Sequence, residues 1–343
     1  MSLTTDQVAD ITLETHRKLV KKGAFVNMAS DLTDYIGVNE IWEHRQVQFE
    51  GGVDWTIPYM MDHNHSARAV GLYESDGSAF GDVMANGAVG PRYVNAHYVY
   101  DLREPMFQRG GTAIVNQLKI KYAGMKVAMF ELMEQFLWGK PVDSTDKKTP
   151  FGLAYWVTRS ATEGYNGGNP SGFSEGRAGI STSTYARYAN WTAQYVAASK
   201  TDLIRKMRKF HTKSMWKSPV NHATPDVGKD GKGVYTNYRV IEPLEEAMEA
   251  QNMNLGRDIA MFNGTVMFKS RPLIYVPYLE ADTTDPLFML DWKHIGVGVQ
   301  AGWENALTDP YMVPGKHTVR RVDMDISMNM ICDDPRRQAV FYK

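Results

Sequence analysis

The sequence predicts an α+β fold, and three stretches of its 343 residues carry that prediction. Between Gly110 and Pro141, apolar residues fall at Val115, Leu118, Tyr122, Met125, Met129, Leu132 and Phe136. Steps of three and four lay one apolar stripe along a helix, close to a heptad seam. Near the C-terminus, Val322, Met324, Ile326, Met328, Met330 and Cys332 alternate with Asp323, Asp325, Ser327, Asn329 and Ile331, the period of a long strand with one buried face. From Val47 to Arg103 the chain is rich in glycine and aromatics and has no lysine. Alternation at its ends, Gln46 to Phe49 and Arg92 to Tyr100, predicts two strands flanking a long glycine-rich excursion, an extended β-hairpin or loop.

Composition bounds what such a fold can do. A hydrophobic content of 43% supports a substantial core, and a formal charge of −1 gives no overall basic field for nucleic acid. One cysteine, Cys332, cannot form an internal disulfide or build a zinc site alone. Neither a signal-peptide core nor an apolar run of membrane-spanning length is visible, so the expectation is a soluble chain that folds in cytoplasm, with no membrane partner. Twenty methionines with 8 Trp, 18 Tyr and 13 Phe supply irregular cores and interface centres alike.

In chain order, residues 3–22 read as a polar amphipathic helix stopped at Gly23, and the segment to Gln46 as an extended arm with local turns. The excursion that follows exposes more apolar surface than a lone monomer covers, which favours a partner chain beneath it. The long helix has a start at Gly110-Gly111-Thr112 and a stop at Gly139-Pro141, with Gly139 expected in the left-handed conformation. At 1.5 Å per residue it spans roughly 40 Å. Gly124 in its middle predicts close packing there. One side of this helix is expected to lie on the late strand, along the even-numbered residues Val322 to Met330.

After a polar linker, Val142 to Thr149, the run Phe151 to Val157 reads as a strand. Gly164, Gly167, Gly168, Gly172, Gly176 and Gly179 mark a long loop, and Tyr185 to Lys217 reads as mostly helical. Pro219 to Gly233 is a loop, Tyr235 to Val240 a strand, and Glu242 to Gln251 a helix with Pro243 in its first turn. Val266 to Val276 reads as strands broken at Arg271-Pro272. After the terminal strand, Asp333-Asp334-Pro335 turns the chain into a return strand over Ala339-Val340-Phe341.

Four stretches together carry a resemblance. They are Phe130 to Gly139 (FELMEQFLWG), Pro272 to Pro277 (PLIYVP), Phe288 to Trp292 (FMLDW), and Met324 to Phe341 with its ending Arg336-Arg337-Gln338-Ala339-Val340-Phe341. In this order the chain resembles the major capsid proteins of tailed bacteriophages, with the Hong Kong 97-type fold. The resemblance implies an N-terminal arm over 1–46 and an extension loop over 47–104. It implies a peripheral domain over 105–150 with a spine helix at 112–138, a mainly axial domain over 151–285, and a return to the peripheral strands over 286–343. It further implies a structural protein, not an enzyme, that joins copies of itself in hexamers and pentamers of an icosahedral head. That head would enclose double-stranded DNA, be assembled in the host cytoplasm, and carry a portal and in some cases a cement protein. Some relatives crosslink through an extension-loop lysine. No lysine occurs here between Lys22 and Lys119, which removes that chemistry. Because the sequence opens almost directly on the arm, a separate scaffolding protein is expected.

Trp55, Tyr59 and Tyr73 in the excursion are candidate intersubunit anchors, since aromatics favour interface centres. Arg205, Lys206, Arg208, Lys209 and Lys213 put five cations on one helix, suited to weak contact with packaged DNA or to charge pairing between subunits. Asp62, His63 and His65 have metal-ligand chemistry, but no further ligand spacing supports them, and a polar turn or subunit contact accounts for them equally. Gly164 to Asn169 lacks the lysine of a phosphate-binding loop. Cys332 falls on the buried parity of its strand, and no nucleophile-elbow motif frames Ser160, Ser181 or Ser183. No catalytic, cofactor or metal site is expected. The alternatives from other classes are a soluble α/β enzyme using the 164–179 loop or the 62–65 cluster, and a tail or decoration protein.

Overall fold

The computed structural model of the chain describes residues 34–44, 46–62, 68–72, 84–103, 111–214, 232–252, 266–269 and 271–343. The predicted helix over 3–22, Tyr73, His63, His65 and most of the 219–233 loop lie outside these residues. Helix α1 (Ile36–His44) leads into β1 (Gln46–Phe49), β2 (Trp55–Met60), β3 (Met84–Val89) and β4 (Arg92–Asp101). The long helix α2 (Gly111–Trp138) and the one-turn α3 (Leu153–Trp156) precede β5 (Trp191–Gln194), α4 (Leu203–Lys213), β6 (Lys232–Thr236) and α5 (Tyr238–Asn252). The strands β7 (Met267–Phe268), β8 (Arg271–Tyr275), β9 (Leu287–Asp291), β10 (Ile295–Gln300), β11 (Ala306–Leu307), β12 (Tyr311–Met312), β13 (Val319–Cys332) and β14 (Ala339–Tyr342) close the chain.

Two compact units divide the described residues. One holds Tyr93–Met133 and Gly302–Ser327; the other holds Asp34–Arg92, Glu134–Ala301 and Met328–Lys343. In the first unit, β4, β11 and β12 all pair with β13. Asp323 on β13 gathers this unit's polar groups. It accepts from Arg321 Nε at 2.8 Å and from the Tyr311 hydroxyl at 2.6 Å, while Asn95 donates to Asp325 at 2.5 Å. Burial raises the Asp323 pKa, but these donors outweigh it and the net shift is downward.

The second unit is built on a mixed sheet ordered β5-β14-β9-β6-β8-β7. Every residue of β9 is buried, as the unbroken apolar run Leu287 to Leu290 requires of a central strand. Leu203, Met207 and Phe210 of α4 and Val240, Ile241 and Leu244 of α5 join Met289, Leu287 and Phe341 in one core. In the same unit β10 pairs with β1 in parallel and with the last residues of β13 in antiparallel register, Ile295 opposite Cys332.

Several elements differ from their sequence reading, each for a local reason. The arm is not extended over 36–44. Asp34 accepts from the Tyr35 amide at 2.8 Å just before helix α1 begins at Ile36. Phe151 to Val157 forms the turn of helix α3 with flanks, and the 185–217 stretch contains strand β5 before α4 begins. Short apolar runs suit a buried strand or a buried helix equally. Helix α5 begins at Tyr238, leaving Pro243 inside it and not in its first turn. The break between β7 and β8 lies before Arg271, at Lys269, whose φ is 51°.

The return strand β14 pairs in parallel with β5 and antiparallel with β9, not with β13. The 286–343 stretch is therefore shared between two sheets. Along α2 the buried apolar residues Met125, Met129, Met133 and Leu137 form an i+4 row, joined by Glu134 and Trp138, that rotates away from Leu132 and Phe136, which are half-buried. Gly124 is exposed, and a Cβ there would meet nothing within 4 Å, so the predicted close packing is not found among the described residues. Gly139 is not among the described residues of positive φ. A Cβ there would lie 2.8 Å from the Gln135 carbonyl oxygen, and this close approach explains the glycine.

Candidate assembly surfaces

The predicted excursion contains an isolated two-stranded hairpin. Trp55 lies opposite Val89, Tyr59 opposite Ala85 and Met60 opposite Met84. Its flanking strands do not pair with each other: β1 pairs with β10, and β4 with β13. Two of the three candidate anchors are described, and both are occupied within their own chain. Trp55 is 3% exposed and stacks on Phe49 with ring centres 4.4 Å apart. Gly298 gives the pair room, since a Cβ there would stand 2.6 Å from the Trp55 ring. Tyr59 is 6% exposed, packs edge-on to Tyr188 and donates to the Cys332 carbonyl at 2.6 Å. Burial pushes its hydroxyl pKa far above the ordinary range.

The hairpin shows solvent a different set of apolar side chains. Met60 and Met84, directly opposed across the strands, are 72% and 59% exposed. Val53, Val70 and Leu72 are also exposed. Alternation explains the division. The side chains that flank Tyr59 along β2 point the other way.

The basic helix α4 is built as its pattern predicts. Leu203, Met207 and Phe210 are buried, and Arg205, Arg208, Lys209 and Lys213 are exposed on the opposite arc. Lys206 is held by Asp202 and by the Gln194 carbonyl, and Lys209 pairs with Glu163 at 2.7 Å. Arg205, Arg208 and Lys213 have no ion pair among the described residues.

Glu134 and Arg177 are among the interior charges that escaped the sequence reading. Glu134 on α2 is fully buried. Its carboxylate accepts from the amides of Gly37 and Val38 at 2.8 and 2.9 Å and from the Trp138 indole at 2.6 Å. It thereby satisfies two N–H groups at the start of α1 that have no partner within that helix. Only glycine fits at 37, where a Cβ would sit 2.7 Å from the Trp138 nitrogen. Burial raises the Glu134 pKa against these three donors. Its neighbours in the sequence hold the signal: Met133, Leu137 and Trp138 surround it on the wheel.

Arg177, in the glycine-rich loop, is also fully buried. One terminal nitrogen donates to the Tyr188 carbonyl at 3.0 Å. The other sits among Thr158 Oγ1, the Gly167 and Gly168 carbonyls and Asn190 Oδ1, at 2.6 to 3.1 Å. All are neutral acceptors, and burial pulls the guanidinium pKa down to about 10. Gly167 is required, because a Cβ there would lie 1.9 Å from Asn190 Oδ1. The loop's centre is thus filled by an arginine and is not an open cradle for phosphate.

Asp62, the described member of the 62–65 cluster, pairs with Arg187 at 2.9 Å, and the described residues hold no group of three metal-ligating side chains. Cys332 is fully buried, its thiol pushed up by burial. A cavity of about 300 Å³ beside the loop is lined by Arg92, Lys147, Phe151, Tyr155 and Glu175 among others. Arg92 donates to the Lys147 carbonyl and lies over the Phe151 ring.

No protein-family model and no curated protein matches the chain. Solved structures do. The chain is similar to the capsid of cyanophage A-1(L), with a TM-score of 0.62 at 12% identity over 96% of this chain and 98% of that one. It is similar to the capsid protein of a native GTA particle, at 0.56 and 11% over 96% and 98%. It is also similar to the SrpI encapsulin of Synechococcus elongatus PCC 7942, at 0.51 and 11% over 100% and 96%. At these identities the likeness shows the fold, that of phage capsid proteins, along nearly the whole chain. No helix among the described residues is long and apolar enough to cross a membrane.

Proposed function

We propose that the chain is a structural major capsid protein, not an enzyme. It would assemble in a host cytoplasm into hexamers and pentamers of an icosahedral virus head around double-stranded DNA. The observation that carries this reading is end-to-end coverage of a phage capsid fold by a chain whose hairpin bares Met60 and Met84. Burying apolar surface on a neighbouring copy yields roughly 25 cal/mol per Å² before ordering costs, so a row of exposed side chains on each copy sums over a closed ring. In this reading 47–104 is the extension loop, and its contact with the neighbour runs through Met60, Met84, Val70 and Leu72. Trp55 and Tyr59 fix the loop to its own subunit. Arg205, Arg208 and Lys213 of α4, which have no ion pair among the described residues, are candidates for weak contact with packaged DNA or with acidic groups of another copy. A separate scaffolding protein, a portal and a cement protein are the further partners.

Size-exclusion chromatography with negative-stain microscopy tests the reading. Capsomers or closed shells are expected; a discrete monomer or dimer whose melting rises with a small ligand overturns it in favour of an enzyme. The same fold occurs in an encapsulin complex. Particles from producing cells should therefore hold nuclease-protected double-stranded DNA, and shells filled with protein would reject the viral head. Uniform precursor shells from this chain alone would remove the need for a scaffolding protein.

A further inference from the structure

The hairpin rests, along the middle of its strands, on the loop that follows the glycine-rich segment. The Ala88 amide donates to the Ala178 carbonyl at 3.0 Å. Gly87 packs beside the Tyr59 ring and faces Ala178, so that an added Cβ would lie 2.8 Å from the first and 3.2 Å from the second. Tyr59 meets Tyr188 edge to face, with ring centres 5.0 Å apart. The Ala178 amide in turn donates to the Tyr155 hydroxyl at 2.7 Å.

The loop is shaped from within by one side chain. Arg177 and Ile180 exchange both main-chain hydrogen bonds, at 3.1 and 2.9 Å, which makes 177–180 a tight turn. Gly176 precedes it at a φ of 87°, and its two central residues, Ala178 and Gly179, are held at 51° and 80°. A non-glycine residue in this region is unfavourable and persists only where its surroundings fix it. The Arg177 guanidinium supplies that restraint. It ties the turn to Thr158, to the Gly167–Gly168 carbonyls, to Asn190 and to Tyr188, the residue whose ring carries Tyr59.

We propose that Arg177 is the positioning residue of the hairpin. By gathering five acceptors around one buried guanidinium, it fixes the 177–180 turn to which β3 is bonded, and so sets the hairpin on its own subunit. The importance of this for assembly rests on the reading above; the placement itself does not.

The test is hydrogen exchange on the unassembled full-length chain, comparing Arg177→Lys and Arg177→Met with the parent. The Ala88 amide reports the hairpin's attachment, and the Phe341 amide, in the central sheet, reports global opening. Arg177→Lys keeps the charge but loses the fork, and should speed exchange at Ala88 by at least about tenfold while leaving Phe341 within about twofold. Arg177→Met should exceed the lysine variant at Ala88; where it fails to fold, Arg177→Lys carries the test. Gly87→Ala, whose Cβ would press on the Tyr59 ring and on Ala178, should also speed exchange at Ala88 more than at Phe341. Unchanged exchange at Ala88 in Arg177→Lys, or equal acceleration at Ala88 and Phe341, overturns the proposal. Failure of the parent to form shells counts against the assembly reading and leaves this result standing.

Discussion

The central sheet and the β2–β3 hairpin are made of similar residues and end in opposite conditions. In the sheet, β9 is buried at every position and β14 at three of four, with helices α4 and α5 packed into the same core. In the hairpin, Trp55, Tyr59 and Val89 are buried while Met60 and Met84 stand in solvent. A two-stranded ribbon is marginal by itself. This one is held by its aromatic side to its own chain and leaves its other side uncovered. In the proposed reading the sheet completes a subunit and the hairpin offers an apolar face to a neighbouring copy. Stability and assembly should therefore respond to different residues, and that separation can be attacked directly.

The largest effect belongs to the sheet. Phe341→Ala should cost about 3–5 kcal/mol in denaturant unfolding, because it removes a fully buried ring from a packed core. A loss below about 1 kcal/mol would show that this core is loosely filled. Glu134→Gln should cost about 1–3 kcal/mol, since an amide nitrogen must then face one of the donors now served by the carboxylate. The cost should depend on pH. The folded-state pKa of Glu134 lies above 4.5, so between 4.5 and that value the folded chain holds a proton that the unfolded chain has lost. The glutamate's contribution is fully present below 4.5 and declines as pH rises through the folded value. The gap between parent and Glu134→Gln should accordingly narrow with rising pH, and a gap that widens would reverse the assignment.

A smaller effect tests the helix predicted to back the late strand. Met129 and Met324 are buried in the same unit. If the helix lies on that strand, Met129→Ala and Met324→Ala should be non-additive by about 0.5–1 kcal/mol in a double-mutant cycle. Additivity within error would separate the two elements. The smallest effect on stability, within about 0.5 kcal/mol, belongs to Met60→Ser with Met84→Ser, because both side chains are already in water. The same pair should abolish shells in microscopy. Intact shells would move the assembly contact away from the hairpin and dissolve the contrast with the sheet.

The long-period features were readable in the sequence because periodicity extends over many residues. The strand through Val322 to Cys332 and the long helix ending at Trp138 both stand in the structure, but the strand does not keep one face exposed: Asp323, Ser327, Asn329 and Ile331 are buried with their apolar neighbours. Short elements were not readable: Leu153 to Trp156 and Trp191 to Gln194 are four residues each, too few to separate a helical from an extended period. The aromatic anchors were misplaced for a different reason. Trp55 and Tyr59 look equally suited to an interface or a core, and what assigns them to the core is Phe49, Gly298 and Tyr188, distant partners that no local pattern reveals. Arg177 is the extreme case. Its partners are main-chain carbonyls and two small side chains, so no complementary charge in the sequence could have pointed to it.

Strand β13 runs unbroken for 14 residues and answers to two ladders. Its first half is read by β11 and β12, with Ala306 opposite Asp325 and Tyr311 opposite Arg321, and its last residues by β10. A one-residue insertion or deletion inside it would displace one ladder relative to the other and turn every following side chain to the wrong face. The strand acts as a ruler with marks on both ends. Its length is therefore held from both ends at once.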